Sequence, residues 1–274
     1  MRYSEAVLAA PPGSARFQPA DLARLTPSTL HRVLAPVASA PPLEDVAAAL
    51  GPHPGELFSV AAALEPARGE RLLRLSQRPL PDTERWAAGE RLVRGLFWTL
   101  VYELEPERWV ALAEAEPISP QLLRDLPAAG ARVVEVGAGA GRLTAHLAGV
   151  AAVVVALEPC PALRERLRRR SRAHVLAAVT QQLPLLSGWA DLATAGAAMG
   201  SQPPLGGPAA LAELERVVRP GGTVALISPQ EPEWFQERGY ALREYPVPEI
   251  PVRPDLTAYF GPLTPPNTLL VKTV

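Results

Sequence analysis

Val133-Val134-Glu135-Val136-Gly137-Ala138-Gly139-Ala140-Gly141-Arg142-Leu143-Thr144 decides the fold. A short, mostly β-branched run enters three glycines at alternate positions, and a helical pattern follows at once. Strand, tight glycine turn and helix make the opening unit of a nucleotide-binding α/β sheet. Glycine suits such a turn because it tolerates backbone angles other residues avoid, and because a missing Cβ lets a ligand approach the main chain. The helix behind it begins with unpaired N–H groups able to receive polar or anionic atoms. A second apolar run, Val153-Val154-Val155-Ala156-Leu157, ends in Glu158. An acid at the tip of a second parallel strand is placed to accept hydrogen bonds from ribose hydroxyls.

Two cofactor classes share this layout. The dinucleotide fingerprint is G-x-G-x-x-G, and Arg142 stands where its third glycine belongs. The pattern here is G-x-G-x-G with Glu135 ahead of it, which resembles the (E/D)-x-G-x-G-x-G motif of class I S-adenosylmethionine-dependent methyltransferases. The resemblance implies a Rossmann-like, doubly wound, mostly parallel seven-stranded α/β sheet, with S-adenosylmethionine as cofactor. That cofactor has no pyrophosphate but carries a cationic amino-acid end, which an acid beside the glycine turn suits. Three other readings stay open: a nicotinamide-dependent oxidoreductase, a cofactor-binding or regulatory protein without turnover, and a glycine turn that merely joins strand to helix.

Downstream, strands are expected near 132–136, 153–157, 174–178, 191–196 and 223–227, with helices near 141–149, 161–170 and 208–218. Leu211, Leu214, Val217 and Val218 have helical spacing, and Arg219-Pro220-Gly221-Gly222 stops that helix before the fifth strand. This segment is similar to the L-(K/R)-P-G-G ending found in the same family, and Tyr240–Tyr245 with Thr268–Thr273 can supply its last antiparallel pair. Carried over residue by residue, the resemblance implies Glu135, Gly137, Ala138, Gly139 and Gly141 at the methionine end of the cofactor. Glu158 and Pro159 fall beside the ribose. The acid that usually follows the third strand is replaced by Val179, so Thr180 or Gln181 is left to meet the adenine. Asp191 matches the aspartate opening the fourth strand and reads as structural. No catalytic residue is singled out, because transfer from a sulfonium asks the protein mainly to align the reactants.

Composition narrows the rest. With 48% apolar residues in 274, the chain can bury one large domain, or a core and a smaller one. A formal net charge of −1 gives no electrostatic case for nucleic acid or an anionic membrane as partner. Cys160 is the only cysteine, and His31, His53, His146 and His174 lack metal-ligand spacing. No signal sequence or membrane-length apolar run is read, so the expectation is a soluble, cytoplasmic protein acting on a small molecule.

Pro79-Leu80-Pro81-Asp82 reads as the boundary between an N-terminal helical domain, 1–82, and the cofactor domain, 83–274. Leu43–Leu50 and Glu56–Leu64 resemble a helix-turn-helix, and Arg71–Leu75 a strand that would complete a winged-helix outline. Glu56–Leu64 carries no basic residue, so DNA reading through it is not expected. The outline is similar to the N-terminal dimerisation domains of small-molecule O-methyltransferases, which would make the protein a homodimer; a helical cap is the plain alternative. Trp86, Leu92, Leu96, Phe97, Trp98 and Tyr102 read as core.

Overall fold

The computed structural model describes residues 11–35, 40–202 and 205–274. The N-terminal residues 1–10, on which the expectation about a signal sequence rests, lie outside that set. The chain divides into two compact units, Met1–Arg108 with Pro254–Pro262, and Trp109–Arg253 with Leu263–Val274.

The first unit is helical. Short 3-10 turns at Pro12–Arg16 and Pro19–Arg24 precede α1 (Pro27–Val33), α2 (Leu43–Leu50), α3 (Pro54–Ala63), α4 (Pro66–Ser76), α5 (Asp82–Gly95), α6 (Phe97–Leu104) and the start of α7 (Pro106–Ala115); the late helix α13 (Pro254–Phe260) joins them. Proline opens α1, α3, α4, α7 and α13, where its fixed φ suits a first turn and its missing N–H would be unpaired anyway. Thr26 caps α1 by accepting from the Thr29 amide at 3.3 Å.

Three expectations fail here. Arg71–Leu75 is helical, inside α4, so the winged-helix outline loses its strand. The unit ends after Arg108, beyond the proline-rich segment at 79–82. Prolines at a helix start interrupt the helix but not the packing: Arg91 of α5 grips Asp45 of α2 through both carboxylate oxygens, at 3.0 and 2.6 Å. Trp86 and Trp98 are exposed, whereas Leu92, Leu96 and Phe97 are core.

In the second unit, among the described residues, seven strands form one sheet in the order β3-β2-β1-β4-β5-β7-β6. They are β1 (Arg132–Val136), β2 (Val153–Leu157), β3 (His174–Leu176), β4 (Ala190–Gly196), β5 (Val218–Ile227), β6 (Ala241–Glu244) and β7 (Thr268–Thr273). The first five run parallel, and β7 pairs antiparallel with both β5 and β6. The helices of this unit are α8 (Pro120–Asp125), α9 (Arg142–Val150), α10 (Pro161–Arg170), α11 (Gly207–Val217) and α12 (Pro232–Gln236).

A central parallel strand is covered on both faces and so reads as a continuous apolar run. In β1, Val134 and Val136 pack with Leu211 and Leu214 of α11, while Val133 packs with Leu122 of α8 and Leu147 of α9. Side chains alternate along a strand, so Glu135 shares the face of Val133 and enters the layer between β1 and α9.

The Pro-Gly-Gly turn is present but lies inside a strand. While β4 advances from Ala190 to Leu192, β5 advances from Val218 to Thr223, and the intervening residues loop out through Gly221 at φ +76°. Asp191 fastens this corner: it accepts from the Arg132 amide at 2.8 Å and from Arg219 Nε at 2.6 Å. Those two cations hold its carboxyl far below the usual aspartate range.

Candidate functional site

The neighbours of β1 are β2 on one side and β4 on the other. The chain runs from β1 to β2 and β3 on one side and then crosses back to β4 on the other, a reversal that opens a crevice at the carboxyl ends of the strands. The glycine loop fills it. Gly137, Gly139 and Gly141 have φ of +63°, +56° and +95°, so the loop uses left-handed backbone that only glycine adopts without strain. Close approach adds a second reason. A Cβ on Gly141 would lie 2.8 Å from Leu167 Cδ1, and one on Gly139 3.4 Å from Trp109 Nε1.

A cavity of about 210 Å³ lies against this loop, lined by Glu135, Gly137 to Arg142, Gly196, and Trp109, Val110, Ala113 and Glu114 of α7. Its volume is below the roughly 300–1,000 Å³ of sites that enclose a whole drug-sized ligand. Of the residues singled out from the sequence, it brings together Glu135, Gly137, Ala138, Gly139 and Gly141. Glu158, Pro159, Thr180 and Gln181 do not line it. Thr180 and Gln181 sit in a turn closed by the Gln182 amide donating to Val179 O at 3.2 Å.

Glu135 is 2% exposed, and its Oε2 has no hydrogen-bond partner. The buried hydroxyl of Thr194 also lacks a partner, and Thr194 is the β4 residue in register with Glu135. Burial pushes the Glu135 carboxyl up to about 8; Glu158 adds repulsion, while the Thr144 hydroxyl and Arg142 pull the other way. Unpaired buried oxygens cost free energy unless water or a ligand satisfies them. The site is therefore an acidic, donor-seeking floor beneath a loop of exposed backbone.

Glu158 is buried, and its carboxylate is already engaged by the main chain. Oε2 accepts from the Gly139 amide at 2.8 Å, and Oε1 from the Cys160 amide at 2.7 Å. Arg164 anchors the same corner, donating to the carbonyls of Glu158 and Pro159 at 2.8 and 3.0 Å. Cys160, itself buried, helps hold Glu158 through its amide. His146 Nε2 lies 3.2 Å from Leu123 O, between two helices and not in the cavity.

Sequence reasoning missed the role of α7. Arg142 donates to the carbonyls of Ala113, at 3.1 Å, and Glu116. Those are the unpaired C=O groups of a helix end, so Arg142 fixes the C-terminus of α7, and with it Trp109 and Glu114, against the glycine loop. Arg170 of α10 pairs with Glu114 at 3.1 Å across the same wall. An arginine directly after the last glycine was the available signal.

The profile of the family described as methyltransferase domain matches residues 134–226. An uncharacterized methyltransferase of Mycobacterium tuberculosis is 34% identical over 118 residues, covering 42% of this chain and 47% of that protein. A malonyl-[acyl-carrier protein] O-methyltransferase of Pseudescherichia vulneris is 37% identical over 110 residues, covering 39% and 43%. The chain thus matches about half the length of these curated relatives. A solved S-adenosylmethionine-dependent methyltransferase of Aquifex aeolicus is 18% identical with a TM-score of 0.44, covering 61% of this chain and 96% of that one. Among the described residues no helix is long and apolar enough to cross a membrane, and no cluster of potential metal ligands is present. Residues 134–226 thus match the methyltransferase-domain family, and the glycine loop on β1 with the parallel strand order around it fits a class I, Rossmann-like methyltransferase fold.

Proposed function

We propose that this chain transfers a methyl group from S-adenosylmethionine to a small-molecule acceptor. The observation that carries the reading is the unpartnered, buried Glu135 oxygen at the floor of a glycine cradle. A cationic ammonium on the ligand's amino-acid end would satisfy it, and Gly137, Ala138, Gly139 and Gly141 would admit the rest of that end to close backbone contact. Glu158, with Pro159 beside it, would take the ribose hydroxyls, a carboxylate being an acceptor with two oxygens. Thr180 or Gln181 would meet the adenine. When bound, the sulfonium would supply an electrophilic methyl, to which an acceptor lone pair would bond as S-adenosylhomocysteine leaves with the electrons of the broken S–CH3 bond. The first, helical unit is the part we assign to the acceptor or to dimer formation, and the setting we assign is the cytoplasm.

A binding protein without turnover is the second reading. It is favoured by Val179 standing where an acid is usual, and by a cavity lining in which, among the described residues, no histidine, lysine or tyrosine occurs. Methyl-labelled S-adenosylmethionine, offered with an acceptor panel that begins with carboxylic acids, separates the two. Formation of S-adenosylhomocysteine supports transfer; tight binding with no product across the panel supports the second reading.

A further inference from the structure

A second cavity, about 490 Å³, is lined entirely by residues of the first unit. Its volume falls within the range of small-molecule sites. One wall is a single face of α5: Trp86, Gly89, Glu90, Val93 and Arg94 recur at helical spacing, with Arg85 beside them. The opposite side comes from the 3-10 turns near the N-terminus and the end of α2. A Cβ on Gly89 would lie 3.0 Å from Pro19 Cγ, so glycine keeps this floor close without filling it.

Three features specify what such a cavity would take. Trp86, which lines the cavity, is 67% exposed, whereas Phe17 in the same lining is buried. A large apolar ring left in water beside a cavity is a ready stacking surface. Among the described residues, Arg94 has Glu90 at 3.5 Å as its one ion-pair partner, with both side chains 40% exposed, and such a pair on a helix surface holds its partners weakly. Arg85 also lines the cavity; it gives its Nε to Leu80 O at 3.2 Å, and its Nη1 lies beside Gly51. Two guanidinium groups against one carboxylate leave the lining with an excess of positive charge, of the planar kind that suits a carboxylate.

We propose that this cavity is a binding site for a planar aromatic carboxylic acid, its ring stacked on Trp86 and its carboxylate held by Arg94. The assignment does not depend on the methyl-transfer reading, since every lining residue belongs to the first unit.

The full chain titrated calorimetrically with 2-naphthoate tests it, with 2-naphthamide and inorganic phosphate as separate arms. Binding of 2-naphthoate with a Kd below about 1 mM is expected, with the uncharged amide weaker by about tenfold and phosphate alone weaker still. Trp86→Ala and Arg94→Gln should each lower 2-naphthoate affinity by about tenfold, and Arg94→Lys by less. Arg74→Gln, which removes a similar exposed helix pair on α4, should leave it unchanged. Melting temperatures within a few degrees of wild type would show that these variants fold. Absence of 2-naphthoate binding at about 1 mM, equal affinity for acid and amide, or indifference to both Trp86→Ala and Arg94→Gln overturns the proposal. Phosphate binding as tightly as 2-naphthoate does so too, because the site would then read charge alone.

Discussion

Glu158 and Gly139 are joined by a hydrogen bond of 2.8 Å from the glycine amide to the carboxylate. The acid at the tip of β2 thus holds the middle of the glycine loop that follows β1, before any ligand is considered. Its other oxygen holds the Cys160 amide.

This doubles what Glu158→Ala should do. Removing the carboxylate frees the Gly139 and Cys160 amides, each of which costs about 1–3 kcal/mol if left unpaired and buried. The expected outcome is a lower melting temperature together with S-adenosylmethionine affinity reduced about ten- to a hundred-fold, or roughly 1.4–2.8 kcal/mol. A cofactor lacking both ribose hydroxyls separates the two effects. The account expects a larger loss for the normal cofactor; equal losses would mean that Glu158 acts only by holding the loop.

Gly139→Val tests the cradle. At φ +56° a β-branched residue is strained, by roughly 1–3 kcal/mol, and its side chain would meet the Trp109 indole. Circular dichroism should show a folded chain, and calorimetry should show no cofactor binding. Wild-type affinity in this variant would make the glycine turn a purely structural joint.

Glu135 links stability to pH in an unusual direction. Its folded value, raised to about 8, lies above the ordinary 4.5, so between those values the folded state binds the extra proton. Stability then declines as pH rises from about 4.5 to about 8 and levels off beyond. Glu135→Gln removes this liability. Thermal melts should show it gaining on wild type as pH rises from 5 to 9, while losing affinity for S-adenosylmethionine about tenfold or more. A melting difference that is flat in pH would remove the buried proton from the account.

Asp191 behaves oppositely. Its carboxyl is depressed by Arg132 and Arg219, so its contribution is complete above the unfolded aspartate value and is lost as pH falls below it. Asp191→Asn should lower the melting temperature by a few degrees at neutral pH, lose that difference in acid, and leave cofactor affinity unchanged. A drop in affinity would assign Asp191 to the site.

Much of the second unit was legible because its signals are local. Apolar runs ended by glycine or an acid mark parallel strands, and β1, β2 and α10 fall where periodicity and the proline at 161 put them. The first unit was harder. Proline both opens helices and ends them, so Pro79 and Pro81 resembled a domain edge although Arg91 and Asp45 tie the helices on either side. Leu72, Leu73 and Leu75 between arginines fit a strand or a helix equally over so short a stretch; burial of Leu72 within α4 decided it. At the site, the glycines and Glu135 were visible from spacing. The reach of Arg142 to Ala113 and Glu116 was not, because it spans elements far apart in sequence.

The central claim is that the glycine loop with Glu135 beneath it takes S-adenosylmethionine. Isothermal titration of the full chain with S-adenosylmethionine, S-adenosylhomocysteine and NAD in parallel tests it most directly. The account predicts one site per chain with a Kd on the order of micromolar for the first two, and no saturable binding of NAD. Tighter binding of NAD, or no binding of either sulfur ligand, would contradict it.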